Sequence, residues 1–254
     1  MITDIFDRTD EAFITPASFF GEQRHVASLA VGTFSREIYP AVLQRYPHEQ
    51  IAEFKPANCI RPIWLVTVGE RRFVFYLTEI GSALASTDII EINWLTGAER
   101  FVLFGSAGSL DPSLTQGNFV IPTEAVRDEG MSYHYAPPAD TVRIANADYV
   151  ERVLSGHGVK CAKGKVWTTD AFYRETRRLV QRRKDEGCIA VEMELAGVQT
   201  VCDFYGWQLY DFLVTGDLVN QPIYSPDGLK EANHDMQMFD AALLLVESLL
   251  PAGD

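Results

Sequence analysis

The segment "VEMELAGVQTVCDFYG" sets Glu192 and Glu194 on either side of Met193, with apolar residues on both flanks. A buried carboxylate without a partner is costly, so each acid needs either a structural partner or a ligand. Glu194 falls where a strand pattern gives way to a helix. A carboxylate there is stabilised by the helix dipole, or it accepts two hydrogen bonds at once, as from vicinal sugar hydroxyls. In the second case Met193 lies against the sugar as an adaptable apolar surface. In "FLVTGDLVN", Asp217 follows an apolar run and a glycine. A partly desolvated carboxyl there rises in pKa and becomes a proton donor. The alternative is a capping or turn aspartate.

Three further stretches carry weaker signals. In "FVLFGSAGSL", Gly105 and Gly108 bracket Ser106 and Ala107 after a buried strand. Side chains this small let backbone N–H groups face an anion, with Ser106 adding a hydroxyl; a tight strand-to-loop turn explains the same residues. In "AVGTFSREI", Gly32 ends a strand and Arg36 falls near a helix start, a pairing that suits a phosphate oxygen or a surface ion pair with Glu37. In "WTTDAFYRET", Phe172 and Tyr173 at a strand end could stack on a base, or belong to the core.

The elements that position these residues follow from hydrophobic periodicity. Strand-like runs over 25–32, 100–110, 117–126, 165–172, 188–193 and 208–217 alternate with helical patterns over 35–46, 82–98, 148–158, 174–186 and 195–206, with a last helix ending near Leu250. Pro40 is expected to kink the first of these helices. Residues 62–81 read as a hairpin turning at Gly69-Glu70. Strands followed by helices at this spacing predict a three-layer α/β/α fold with a mixed, mostly parallel central sheet, and 1–254 as a single domain. In such sheets ligands collect at the carboxyl ends of strands, where each candidate residue falls.

Bulk properties narrow the function. With 254 residues, 47% of them hydrophobic, there is material for a large core, and a formal net charge of -13 argues against nucleic-acid or anionic-membrane partners. No run of eighteen apolar residues occurs, and the acidic start "MITDIFDRTDEAF" lacks a signal-peptide core. Cys59, Cys161, Cys188 and Cys202 form no CxxC pair, and the five histidines have no metal-ligand spacing. These features predict reduced thiols, a cytoplasmic location and no metal.

In order along the chain, "GSAGSLDPSLTQGNFVIP", "GKVWTTDAFY" and "VEMELAGVQTVCDFYG" resemble the phosphate-loop, base-pocket and ribose segments of the nucleoside phosphorylase family. That family contains the hexameric purine nucleoside phosphorylases and the uridine phosphorylases. The resemblance runs from about Ala30 to Leu250. It implies phosphorolysis of a ribonucleoside to free base and ribose 1-phosphate, without a cofactor other than inorganic phosphate as co-substrate. It assigns Glu194 to the ribose hydroxyls, Met193 to the sugar, Glu192 to the pocket, Phe172 to the base, and Gly32, Arg36 and Ser106 to phosphate. Asp217 matches the aspartate that protonates purine N7, which favours purine over uridine. The family also implies a homo-oligomer, trimer or hexamer, with a neighbour completing each site. Three departures stand out. Leu103 occupies the usual place of a phosphate arginine, and Lys55 and Arg61 are only loose candidates for a second one. Ala17 stands nearest the family's N-terminal histidine. Arg177 or Arg178 follows the aromatic pair without the glutamine of the uridine enzymes. These departures keep open a nucleosidase, with water replacing phosphate, and a non-catalytic nucleoside-binding or storage relative.

Overall fold

The computed structural model describes residues 5–57, 59–219, 224 and 226–250. In chain order the elements are α1 (Ala17–Phe20), β1 (Leu29–Thr33), α2 (Ile38–Arg45), β2 (His48–Phe54), β3 (Arg61–Val68), β4 (Arg71–Leu77), α3 (Ser82–Thr96), β5 (Arg100–Ser109) and β6 (Phe119–Asp128). They continue with α4 (Ser132–Tyr135), β7 (Thr141–Arg143), α5 (Ala147–Gly156), β8 (Cys161–Thr169), α6 (Arg177–Asp185), β9 (Cys188–Glu192), α7 (Leu195–Tyr205), β10 (Gln208–Leu218), α8 (Asp227–Ala232) and α9 (Gln237–Leu249).

Side-chain alternation along the strands builds two cores. Leu29, Val31, Val102, Phe104 and Phe212 face one side, with residues of α2, α5 and α9. Ala30, Phe101, Leu103 and Leu213 face the other, with α3 and α7. Successive residues pointing to opposite, equally buried faces require helices on both sides of the sheet. The result is a mixed α/β fold in which helices cover both faces of the sheet.

The sheet order is β10-β6-β8-β9-β5-β1-β4-β3-β2, and β10 pairs again with β5, so five strands close into a ring. Parallel ladders join β1 to β4, β1 to β5, β10 to β5, β6 to β8 and β8 to β9. Antiparallel ladders join β10 to β6, β2 to β3, β3 to β4, β5 to β9 and β6 to β7. The mixture is thus more even than strand–helix alternation suggests.

Two local expectations are corrected. Residues 105–109 do not leave the sheet as a loop: β5 runs on through Ser109, pairing with β10 at Ser106–Val214 and with β9 at Gly108–Val191. Its glycines serve close packing there, since a Cβ on Gly105 would stand 3.0 Å from the Phe34 ring. Pro40 is the third residue of α2, within the first turn, where no helical N–H is lost.

Candidate functional site

A cavity of about 150 Å³ opens beyond the ends of β5, β9 and β10. Six of the eight residues singled out from the sequence line it together: Ser106, Phe172, Glu192, Met193, Glu194 and Asp217. Ser106, Ala107 and Gly108 of β5 line it with Asn233, and the Ser106 hydroxyl donates to Asn233 Oδ1. Glu192, Met193 and Glu194 line it where β9 gives way to α7. Phe172, Glu175 and Asp217 complete the lining, Asp217 standing close to Gly108.

The two glutamates have different work. Glu192 is 5% exposed and accepts from three donors: the Thr168 hydroxyl, Glu194 N–H at 2.7 Å and Leu195 N–H at 2.8 Å. Thr168 Oγ1 in turn accepts from Ala196 N–H at 3.1 Å. Together Glu192 and Thr168 satisfy the orphan amides that open α7. Glu194 Oε1 accepts from Gly81 N–H at 2.6 Å, and Oε2 from Met193 N–H at 3.3 Å. Gly81 has a φ of 103° and immediately precedes α3, a left-handed conformation that only glycine adopts without strain. Burial pushes both carboxyls up, and the Glu192 charge pushes Glu194 further. Because three donors favour the charged form of Glu192, Glu194 is the member of the pair that gains the proton more easily.

Asp217 is 4% exposed and accepts a hydrogen bond from Tyr224. Burial raises its pKa against that bond. Gly108 packs beside it: a Cβ there would clash with Val219 Cγ2 at 2.6 Å and stand in ordinary contact, 3.4 Å, with Asp217 Oδ1. Beneath the site Asp211 is fully buried on β10, with one carboxyl oxygen unpartnered. Burial and the charges of Glu192 and Glu194 hold it well above the usual carboxylate range.

Gly32 and Arg36 do not line the cavity. Gly32 is covered: a Cβ there would stand 2.7 Å from the Tyr76 ring and 2.9 Å from Leu103. Its smallness serves sheet packing. Arg36 is exposed ahead of α2. Its neighbour Ser35 caps that helix by accepting from Glu37 and Ile38 N–H, and contacts His234 Nδ1 at 3.1 Å. The loose cation candidates are also engaged elsewhere. Arg61 is buried in a bidentate pair with Asp88 at 2.7 and 2.8 Å, and Lys55 pairs with Glu53 at 3.3 Å. No lysine or arginine is among the residues described as lining the cavity.

Such a chamber, lined by an aromatic ring, several acids and small residues, suits a compact polar ligand carrying a flat apolar part. Comparison with known proteins agrees: the pattern of the phosphorylase superfamily matches residues 29–247. The chain belongs to the phosphorylase superfamily. Among curated superfamily members it is 27% identical over 143 residues to a DeoD-type purine nucleoside phosphorylase of Bacillus cereus. It is equally similar to the corresponding protein of Bacillus thuringiensis (strain Al Hakam). The matched stretch covers 55% of this chain and 61% of each relative. Among solved structures, the purine nucleoside phosphorylase of Toxoplasma gondii in complex with immucillin-H superposes with a TM-score of 0.75 at 20% identity, over 90% of this chain and 96% of that one. The Campylobacter jejuni 5'-methylthioadenosine/S-adenosyl homocysteine nucleosidase gives 0.70 at 16%, over 88% and 99%.

Sequence reading missed several lining residues of this superfamily fold: Glu175, Asn233, Ile80 and Phe34 in the cavity, and Tyr224 beside Asp217. For Glu175 a signal existed, since it follows Phe172 by three residues in "FYRET". Asn233 arrives from the end of α8, and nothing in its spacing marks it. Among the described residues no group of three or more His, Cys, Asp or Glu could hold a metal. No described helix is long and apolar enough to cross a membrane.

Proposed function

We propose that this protein cleaves the N-glycosidic bond of a purine ribonucleoside. The observation that carries this reading is that Glu194 and Asp217 line one cavity together with Met193 and Phe172. As the glycosidic bond breaks, the sugar becomes positive and the base negative. Glu194 holds the ribose 2′- and 3′-hydroxyls, and those two donors draw its raised carboxyl back to the ionised form. Held there, the nucleoside has less freedom to lose on reaching the transition state. Asp217, whose carboxyl burial pushes above its ordinary range, gives its proton to N7 of the departing purine. Such a transfer is typically worth about 10²–10⁴ in rate.

The acceptor enters at the Ser106–Gly108 end. Phosphate is the acceptor that family resemblance implies, with Ser106 as a hydroxyl donor and Arg36 drawn in from the surface. Each nucleoside would then yield free purine and ribose 1-phosphate, the neighbouring subunit of a trimer or hexamer supplying further groups. A second reading, hydrolysis, is favoured by the lining itself. Glu175, Glu192, Glu194 and Asp217 border the cavity, and Leu103 is buried where an arginine would be needed. An anion entering a chamber walled by acids meets repulsion that water does not. The test is release of adenine and hypoxanthine from adenosine and inosine with and without inorganic phosphate. Release only with phosphate selects the phosphorylase; equal release without it selects the nucleosidase. Absence of release from either nucleoside under both conditions overturns the reading and favours a binding or storage role.

A further inference from the structure

The cavity that Glu194 and Asp217 share is about 150 Å³, roughly half the size at which small-molecule sites begin. A second chamber, of about 590 Å³, adjoins it: Phe172 and Glu175 border both. Tyr224, which hydrogen-bonds Asp217, borders the second as well. Neither Glu192 nor Glu194 is among the residues described as lining it. The outer chamber therefore meets the inner one beside Phe172, Glu175 and the Tyr224–Asp217 hydrogen bond.

Its walls are largely apolar and partly wet. Phe172, Tyr173 and Tyr224 are all exposed, Tyr173 at 93%, and the Phe172 and Tyr173 rings meet edge to face at 5.1 Å. Val180, Leu218 and Val219 add aliphatic surface. Arg177 and Lys184 of α6 complete the border, and the stems of such side chains also cover apolar surface. Aromatic rings grouped in water at the mouth of a cavity mark a place that a ligand covers.

In the reaction proposed above, Asp217 gives its proton to purine N7. The exocyclic 6-amino group stands on the same edge of the purine as N7. A substituent on that nitrogen leaves the ring beside Asp217, where the outer chamber begins. We infer that the outer chamber is a subsite for an aromatic or branched apolar group carried on the exocyclic 6-amino nitrogen, so that N6-substituted adenosines are preferred over adenosine. This rests on the purine-cleaving function proposed above. One methylene seated in an apolar pocket is worth about tenfold or more, so a whole benzyl group should reach that even over half-open walls.

The experiment compares kcat/KM for adenosine, N6-benzyladenosine and 2-benzylaminoadenosine in the full-length protein, with phosphate present. N6-benzyladenosine should exceed adenosine at least tenfold. The 2-benzylamino compound, whose group leaves from another edge of the ring, should show no gain. Tyr173→Ala removes an exposed ring that the fold does not need. It should lower the value for N6-benzyladenosine about three- to tenfold and leave adenosine within about twofold. Tyr173→Phe keeps the ring and should keep the preference. Equal or poorer cleavage of N6-benzyladenosine overturns the inference. So does an equal gain for both benzyl compounds, or a preference that Tyr173→Ala leaves unmoved. Calorimetric binding of free adenine and free N6-benzyladenine gives a readout independent of turnover. If N6-benzyladenine binds at least tenfold tighter and Tyr173→Ala narrows the gap, the inference stands even where no nucleoside is cleaved and the catalytic reading falls. If adenosine is cleaved but neither comparison favours the benzyl group, the catalytic reading survives and the inference falls.

Discussion

Replacing Glu192 separates its structural contribution from any contact with ligand. Glu192→Ala strands the Thr168 hydroxyl and the N–H groups of Glu194 and Leu195, all at the buried start of α7. An unsatisfied buried donor costs about 1–3 kcal/mol. Thr168 can turn its proton elsewhere, and the cavity can admit water to one amide, so the net loss is about 3–4 kcal/mol. At about 2–4 °C per kcal/mol for a chain of this size, melting should fall by roughly 10 °C. Glu192→Gln behaves differently. Its remaining oxygen keeps both N–H bonds, and its new NH₂ donates to Thr168 Oγ1, which has a lone pair to spare. The loss should be about 1 kcal/mol, within roughly 4 °C. Urea denaturation of both variants, with the slope of each transition compared, measures the two losses. If Glu192→Ala melts within about 2 °C of the unaltered protein, the capping argument is wrong and Glu192 is free to be a ligand group. If Glu192→Gln loses as much as Glu192→Ala, the charge rather than the hydrogen-bond geometry holds α7.

Other outcomes follow from the same geometry. Asp217→Asn should slow purine release at least tenfold, read by chromatography of the base; a near-normal rate would remove Asp217 from the chemistry. Because the protonated Asp217 is the active form and its pKa is raised, kcat, read with the nucleoside bound and Glu194 ionised by its hydroxyls, should be level on the acid side and decline as pH rises through that raised value. A rise with pH over the same range would contradict proton donation. Glu194→Gln should raise KM for ribonucleosides more than for their 2′-deoxy counterparts, because only the former offer both hydroxyls; equal effects on both would detach Glu194 from the sugar. Gly108→Ala forces a Cβ against Val219 and toward Asp217. It should lower turnover at least tenfold while melting falls by only a few degrees, and an unchanged rate would mean that Asp217 tolerates displacement.

Much of the layered fold was legible because β1, β5 and β10 are long apolar runs whose two faces are both buried. Periodicity could not reveal that β10 returns to β5, since ring closure depends on pairing rather than on local pattern. Nor could it show residues 105–109 as strand, because small residues look alike in a loop and in a strand packed under an aromatic ring. The central acids were legible as a pair entering the core. Their division of labour was not, because it depends on Thr168 and on Gly81, both remote in sequence. Gly32 and Arg36 were read together as an anion site, yet tertiary contacts turn one toward Tyr76 and leave the other at the surface.

The closed circuit of β5, β10, β6, β8 and β9 has a dynamic consequence. A strand at an open edge can fray by breaking one ladder, whereas a member of a circuit must break two at once. Hydrogen exchange in these five strands should therefore approach the limit set by global unfolding. Ligand entry must then rely on the pieces laid over the rim, the Phe172–Arg174 turn and α8. Their amides are expected to exchange fastest around the site, and to slow first when a nucleoside binds.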